Sequence, residues 1–382
     1  MLILITKKML YLIRLFIFYA FRFFPIQEDK IFVQNFHGKG YADNPKYIAE
    51  QLFLKGIKCK IIWCVSDNCN NNFPNAIITV RYNSLKSIYE QVTAKVWINN
   101  CRERSFVRKR RGQYYIQTWH GGGPLKKIEK DAEKKLSASY VNNAKNDSKM
   151  ADLFLSGSEF MSQLYRSVFW YNGEILECGS PRYDILVIPT NEATGKVRKY
   201  FSIQDKTKII LYAPTFRKNK NTAIYNLNYE LILKAMLEHR KEKFIFLVRL
   251  HPNMTAESGR LDYSENVINA SKYDDMQELL SASDILITDY SGCAIDFALM
   301  YKPVFLYIPD YEDYRKDRDL YFEISELPFN YSMNLEDLLR IIIDFDADDY
   351  LKRLNEFFKR IGTVRNGKAS EKVAEKIIKM LQ

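Results

Sequence analysis

The chain has 382 residues, 47% of them hydrophobic, with only 15 Gly and 11 Pro. That excludes a disordered, collagenous or low-complexity protein and gives room for two domains. Lys and Arg number 57 against 46 Asp and Glu, a formal net charge of +11, which favours an anionic partner: a membrane surface, a nucleic acid or a phosphorylated substrate. Four histidines leave little material for a metal cluster. The six cysteines (Cys59, Cys64, Cys69, Cys101, Cys178, Cys293) form no CxxC pair and none stands at zinc-ligand spacing from a histidine, so they read as buried free thiols.

Residues 9–24 read MLYLIRLFIFYAFRFF, and the uncharged run between Arg14 and Arg22 is seven residues. About 20 are needed to span a bilayer, and no small-residue cleavage site marks a signal peptide. Lys7, Arg14 and Arg22 share one helical stripe. Segment 1–24 is therefore expected to be an amphipathic helix in the membrane interface, basic edge toward anionic headgroups. The plainer alternative is a helix docked on the protein's own core.

Past Pro25, strands and helices alternate. Strands are predicted at 31–36, 59–65, 76–80, 95–99, 114–118, 152–156 and 175–178, with helices at 44–54 and 84–93. The pattern then restarts. Strands fall at 208–213, 244–250, 267–269, 285–288 and 304–307, and helices at 229–238, 276–281 and 294–300. The polar stretch 189–204 reads as a hinge. Helices at 335–344, 350–359 and 370–381 close the chain. This gives an α/β protein of two doubly wound domains, 25–190 and 200–382, facing a cleft, with ligands expected outside the carboxyl ends of the strands.

Neither GxGxxG nor GxxxxGK[ST] is present, so no dinucleotide fingerprint or P-loop carries the function. The strand ends are nonetheless strongly polar. After the 114–118 strand comes Trp119-His120-Gly121-Gly122-Gly123-Pro124-Leu125-Lys126-Lys127. An imidazole suits proton transfer near neutrality, and glycines let backbone approach a ligand; a structural histidine at a glycine turn is the alternative. Arg249 and His251 point to the same side of the 244–250 strand end and suit a phosphate. Arg217 follows the 208–213 strand. Thr288, Asp289 and Ser291 precede the helix near 294, where open amides and the helix dipole would make an anion site. The basic run 102–111 could bind lipid headgroups or RNA but reads first as a solvated loop, without the interleaved aromatics that a single-stranded nucleic acid needs. Lys126 and Lys127 are candidates for acceptor phosphates.

These residues lie in motifs that resemble a known family. QTWHG…PLKK (117–127), LYAPTFR (211–217), RLHP (249–252) and DILITDYSG…DF (284–297) occur in that order, with KGYADNPKYIAEQL (39–52), GSPRYD (179–184) and KPVFLYIPDYEDY (302–314). Together they resemble the CDP-glycerol glycerophosphotransferase family, which builds teichoic acids and related capsule polymers. The resemblance implies a GT-B-like fold of two Rossmann-type domains. The first would be acceptor-side and the second would bind the CDP donor. It implies CDP-glycerol or CDP-ribitol as donor, and a lipid-linked saccharide or polyol-phosphate acceptor at the cytoplasmic face of the cell membrane. It implies His120 as general base, His251, Thr288, Asp289 and Ser291 as donor contacts, and Arg217 as a phosphate contact. Gly121, Lys126 and Lys127 remain candidate acceptor contacts. No metal is expected, since protein donors can stabilise the leaving CMP, and no nucleic acid. The sequence departs from the family pattern by an extra glycine after His120 and by Gly292 in place of a second serine. The competing functions are a GT-B transferase using a UDP- or GDP-sugar, and a non-catalytic protein that binds anionic membrane.

Overall fold

The computed structural model describes residues 2–67, 69, 72–121, 123, 125–217, 223–317 and 319–382. Gly122 and Pro124 of the glycine turn lie outside the described residues. The chain forms two compact units. The first comprises Met1–His120, Glu129–Arg182 and Lys368–Gln382, and the second Gly121–Ile128 and Tyr183–Gly367.

The first unit is built on strands β1 (Gln27–Gln34), β2 (Lys60–Val65), β3 (Ile77–Arg81), β4 (Ala94–Asn99), β5 (Tyr114–Gln117), β6 (Leu153–Ser156) and β7 (Glu174–Glu177). They pair in parallel in the order β3-β2-β1-β4-β5-β6-β7. The central strands are runs of β-branched and aromatic residues because both their faces are covered. Ile31, Val33, Ile61, Trp63, Val96, Ile98 and Ile116 form one core with Ile48 and Leu52 of the helix Asp43–Leu54. The helix Ala369–Leu381 completes that core through Val373, Ala374 and Ile377. The chain thus ends in the first unit, although the sequence places the whole tail with the second.

The second unit holds β8 (Lys208–Tyr212), β9 (Phe244–Val248), β10 (Val267–Asn269), β11 (Ile285–Thr288), β12 (Val304–Tyr307) and β13 (Asn330–Ser332), parallel in the order β10-β9-β8-β11-β12-β13. β13 is too short and polar to read as a strand from sequence. The expected hinge at 189–204 is largely a helix, Asn191–Tyr200. Thr190 caps it on the Ala193 amide, and Ala193 and Val197, one turn apart, supply its buried face.

In both units the strand order reverses once, between β1 and β4 and between β8 and β11. Doubly wound sheets bind their ligands at such switch points, outside the carboxyl ends of the strands.

The N-terminal segment is a helix, Leu2–Ala20, followed by a 3-10 turn, Phe21–Phe23. No helix among the described residues is long and apolar enough to cross a membrane. Phe18 is fully buried and packs edge-on against Phe106 at 6.1 Å. Arg22 donates to the carbonyls of Arg108 and Lys109 at 2.8 and 3.0 Å, and Arg14 lines a cavity with Asp67 and Arg81. The arginine edge therefore faces the protein, which reverses the orientation expected from the sequence. Met9, Leu12, Ile13, Phe16, Tyr19 and Phe23 are exposed instead.

The run 102–111 is also not the solvated loop expected. Arg102 is buried between Asp147 and Glu129, each at 3.1 Å, and Glu103 accepts from Gln34 at 2.6 Å and Asn99 at 2.9 Å. Asp147, Glu129 and Gln34 come from distant elements, which a charge pattern read locally does not reveal.

Candidate active site

In the first unit the polar groups gather at the carboxyl ends of β1, β4 and β5. His120 follows β5, and its Nδ1 lies 2.6 Å from the Asn100 carbonyl, just past β4. A carbonyl only accepts, so Nδ1 carries the proton and Nε2 presents a lone pair. The ring stacks on Trp119 at 4.4 Å and meets the Phe36 ring at 5.3 Å. Burial lowers the His120 pKa from its ordinary 6.5, against opposing effects of the Asn100 carbonyl and Asp43. The neutral imidazole is thus the resting form at neutrality, and in this tautomer its Nε2 can accept a proton.

A buried scaffold fixes this ring. Asn44 Nδ2 donates to the Thr118 and Trp119 carbonyls at 3.4 and 3.1 Å, while its Oδ1 accepts from the Ser180 hydroxyl at 2.7 Å and the Arg182 amide at 3.0 Å. Arg182 pairs with Asp43 at 2.8 Å and reaches the His120 carbonyl at 3.4 Å. The NP and SPR segments meet here as supports for the His120 turn. Asp43, Asn44, Asn100 and Arg182 were not singled out in the sequence, although the motifs containing three of them were. Trp119 adopts φ 52°, Phe36 41°, His37 58° and Asp43 58°. Left-handed conformations at non-glycine residues cluster where surrounding contacts over-determine a loop, as they do here.

In the second unit the ends of β8, β9 and β11 meet. Arg217, expected to contact phosphate, has its five N–H groups engaged. Nε and Nη2 bind Asp310 at 2.6 and 3.1 Å, Nη2 also binds Asp289 at 2.9 Å, and Nη1 donates to the Thr215 carbonyl and hydroxyl at 2.9 and 2.5 Å. Burial works against its charge, but the hydrogen bond to Asp310 and the field of Asp289 outweigh that and raise its pKa. Asp289 accepts from the Thr215 amide at 2.9 Å and hydroxyl at 3.0 Å. Thr288 is fully buried and donates to the Ala213 carbonyl at 2.6 Å. These three side chains tie β8 to β11 and have their donors or acceptors spent on the protein. The sequence reads them as direct donor contacts; the structure shows them holding the two strand ends together.

The first three amides of the following helix are engaged within the turn. The helix is six residues long, Cys293–Ala298. The Cys293 amide reaches Ser291 Oγ at 3.4 Å, and the Ala294 and Ile295 amides bind the carbonyls of Ser291 and Gly292 at 3.2 and 3.1 Å. The Ser291 hydroxyl is half-buried at this turn. Gly123 passes so close that a Cβ there would sit 3.0 Å from the Ile295 side chain.

His251 is exposed just past β9. Its Nδ1 accepts from the Asn253 amide at 3.2 Å, which leaves the proton on Nε2, the reverse of His120. Its ring lies 6.0 Å from Phe216. Arg249 is half-buried and donates to the Tyr273 carbonyl; burial lowers its pKa, and Asp275 and Asp274 oppose that. Lys126 and Lys127 lie in the second unit, where the Lys127 amide binds the Asp319 carbonyl at 2.8 Å and the Lys126 ammonium stands over the Tyr314 ring at 5.4 Å. A Cβ at Gly121 would meet open space. Among the described residues no group of three or more His, Cys, Asp or Glu side chains is arranged to hold a metal ion.

The model of the CDP-Glycerol:Poly(glycerophosphate) glycerophosphotransferase family matches residues 16–379. The chain is 30% identical over 367 residues to a teichoic acid poly(glycerol phosphate) polymerase of Bacillus spizizenii, covering 93% of each. It is 28% identical over 373 residues to the corresponding Staphylococcus epidermidis polymerase, covering 93% of this chain and 51% of that one. This chain thus spans about half the length of the latter relative. Among solved structures it is similar to the wall teichoic acid polymerase TagF, with a TM-score of 0.83 and 28% identity over 93% of this chain and 90% of that one. TagF has also been solved as a histidine-to-asparagine variant soaked with CDPG.

Proposed function

Because this chain belongs to the CDP-glycerol:poly(glycerophosphate) glycerophosphotransferase family, we propose that it transfers glycerol phosphate from CDP-glycerol to an acceptor hydroxyl in teichoic acid synthesis. The observation that carries this reading is the His120 tautomer. A neutral imidazole, protonated at Nδ1 by its bond to Asn100, can take a proton only at Nε2. The acceptor oxygen attacks the phosphorus that bears glycerol as Nε2 removes the hydroxyl proton. The bond from that phosphorus to the bridging oxygen breaks, and CMP leaves with the electron pair. His251 Nε2–H and the Ser291 hydroxyl are the donors we assign to the diphosphate, with Arg249 supplying positive charge. Loss of one such donor is expected to cost on the order of 100- to 1,000-fold in rate.

The acceptor on this reading is a lipid-linked saccharide or polyol-phosphate chain, met at the cytoplasmic face of the membrane. The exposed apolar face of the N-terminal helix supports peripheral attachment. Insertion would be apolar, aided by the chain's net charge of +11 against anionic lipid.

The test is nucleotide release in the presence of acceptor, CMP from CDP-glycerol or CDP-ribitol and UDP from UDP-glucose, each with and without EDTA. The reading requires turnover of a CDP-polyol that EDTA leaves unchanged; turnover of UDP-glucose alone would replace it with a sugar transferase.

A further inference from the structure

Two exposed side chains near His120 have no part in the chemistry above. His37 and Lys39 project from the loop that follows β1, and both are exposed. The loop is held firmly. Asn35 Nδ2 donates to the Lys39 and Gly40 carbonyls, each at 3.1 Å, and Asn35 Oδ1 accepts from Asn100 at 2.7 Å. The Ser66 amide binds the Gly38 carbonyl at 2.8 Å. Gly38 lies so near β2 that a Cβ would come 2.7 Å from the Ser66 nitrogen, and its φ is +94°. A loop pinned this way presents its side chains without paying the ordering entropy when a ligand binds.

The loop is also next to the base and inside a positive field. Phe36, one residue before His37, meets the His120 ring at 5.3 Å. Tyr82 lies 6.3 Å from the His37 ring, and the Arg104 guanidinium stands 5.4 Å over Tyr82. Partial desolvation, then Lys39, His120 and Arg104, lower the His37 pKa, so at neutrality it is an N–H donor beside a lysine ammonium. A neutral donor and a cation together suit a phosphate monoanion.

We propose that His37 and Lys39 form a subsite for the phosphodiester that precedes the attacking hydroxyl of the acceptor. The proposal rests on the glycerophosphotransferase reading above. In a polyol-phosphate chain one polyol separates the terminal hydroxyl from the preceding phosphate. A hydroxyl at His120 Nε2 therefore brings that phosphate into the neighbourhood of the adjoining loop. The subsite would favour acceptors that already end in a polyol phosphate over those that end in a neutral sugar.

Two measurements test it. The chain has four histidines, so ring-labelled histidine gives a simple NMR spectrum in which His37 is assigned by substitution. Titration with sn-glycerol 3-phosphate should shift the His37 ring signals in the wild type but not in Lys39→Met. In turnover with a glycerol-phosphate-ended acceptor, Lys39→Met should raise the acceptor KM about tenfold, with the CDP-glycerol KM within about twofold, and Lys39→Arg should recover most of the loss. His37 signals that do not move, or an unchanged acceptor KM in Lys39→Met, would overturn the subsite. A wild type that releases no CMP with any acceptor would instead remove the transferase reading, while the phosphate-dependent His37 shift would still establish an anion site.

Discussion

The Asn100 carbonyl lies 2.6 Å from His120 Nδ1, and the Asn100 side chain accepts the Phe36 amide at 2.8 Å. One residue therefore sets the tautomer of His120 and the position of the neighbouring loop. Because β1 and β4 flank the point where strand order reverses, this coupling sits where the fold exposes its strand ends.

The lowered His120 pKa fixes the sign of the pH dependence. Only the neutral ring accepts a proton, so activity is present above its folded pKa and lost as pH falls through it. The acid limb of kcat/KM for CMP release, measured between about pH 5 and pH 8, should fall below the ordinary histidine value of 6.5. A limb above 6.5 would mean that another group controls the rate.

Arg217 and His251 should separate cleanly. Arg217→Lys removes the fork that spans Asp310 and Asp289. It should cost about 2–3 kcal/mol of stability in urea unfolding, since charged hydrogen bonds are left unmade. His251→Ala, at an exposed site, should leave the unfolding midpoint unchanged and weaken CDP-glycerol binding by calorimetry. Weakened donor binding in Arg217→Lys without loss of stability would restore Arg217 as a phosphate contact.

The Asp43–Arg182 pair is buried at 2.8 Å. Arg182→Met strands a carboxylate and should destabilise by about 3–5 kcal/mol. Adding Asp43→Asn should recover part of that loss, because the two residues share one network. Additive losses in a double-mutant cycle would show that the pair is not coupled.

Phe16 and Phe23 are the most exposed aromatics of the N-terminal segment, at 74% and 94%. The double variant Phe16→Glu/Phe23→Glu should abolish flotation with anionic vesicles and leave CMP release with a soluble acceptor intact. Unchanged flotation would assign membrane contact to another surface.

The position of His120 and His251 just past strand ends is legible in the sequence, because an apolar run followed by a polar cluster marks where a buried strand stops. The strands themselves were legible where both faces are apolar, as in Phe244–Val248, and not in polar β13. What escaped were partners brought together by folding. Asp43 meets Arg182 across 139 positions, and Arg102 meets Asp147 across 45. Arg217 was recognised as important, but the two carboxylates that occupy it lie 72 and 93 positions away. The contacts that turn the Arg22 edge of the N-terminal segment toward the protein are hidden for the same reason. Arg22 finds backbone carbonyls 86 and 87 residues on, which no periodicity encodes.

The central claim is that His120 is the base. Its most direct test pairs CDP-glycerol binding by calorimetry with acceptor-dependent CMP release in the wild type and His120→Asn. The account predicts donor affinity within about twofold and turnover lower by roughly 100- to 10,000-fold. A variant that releases CMP at the wild-type rate would contradict it.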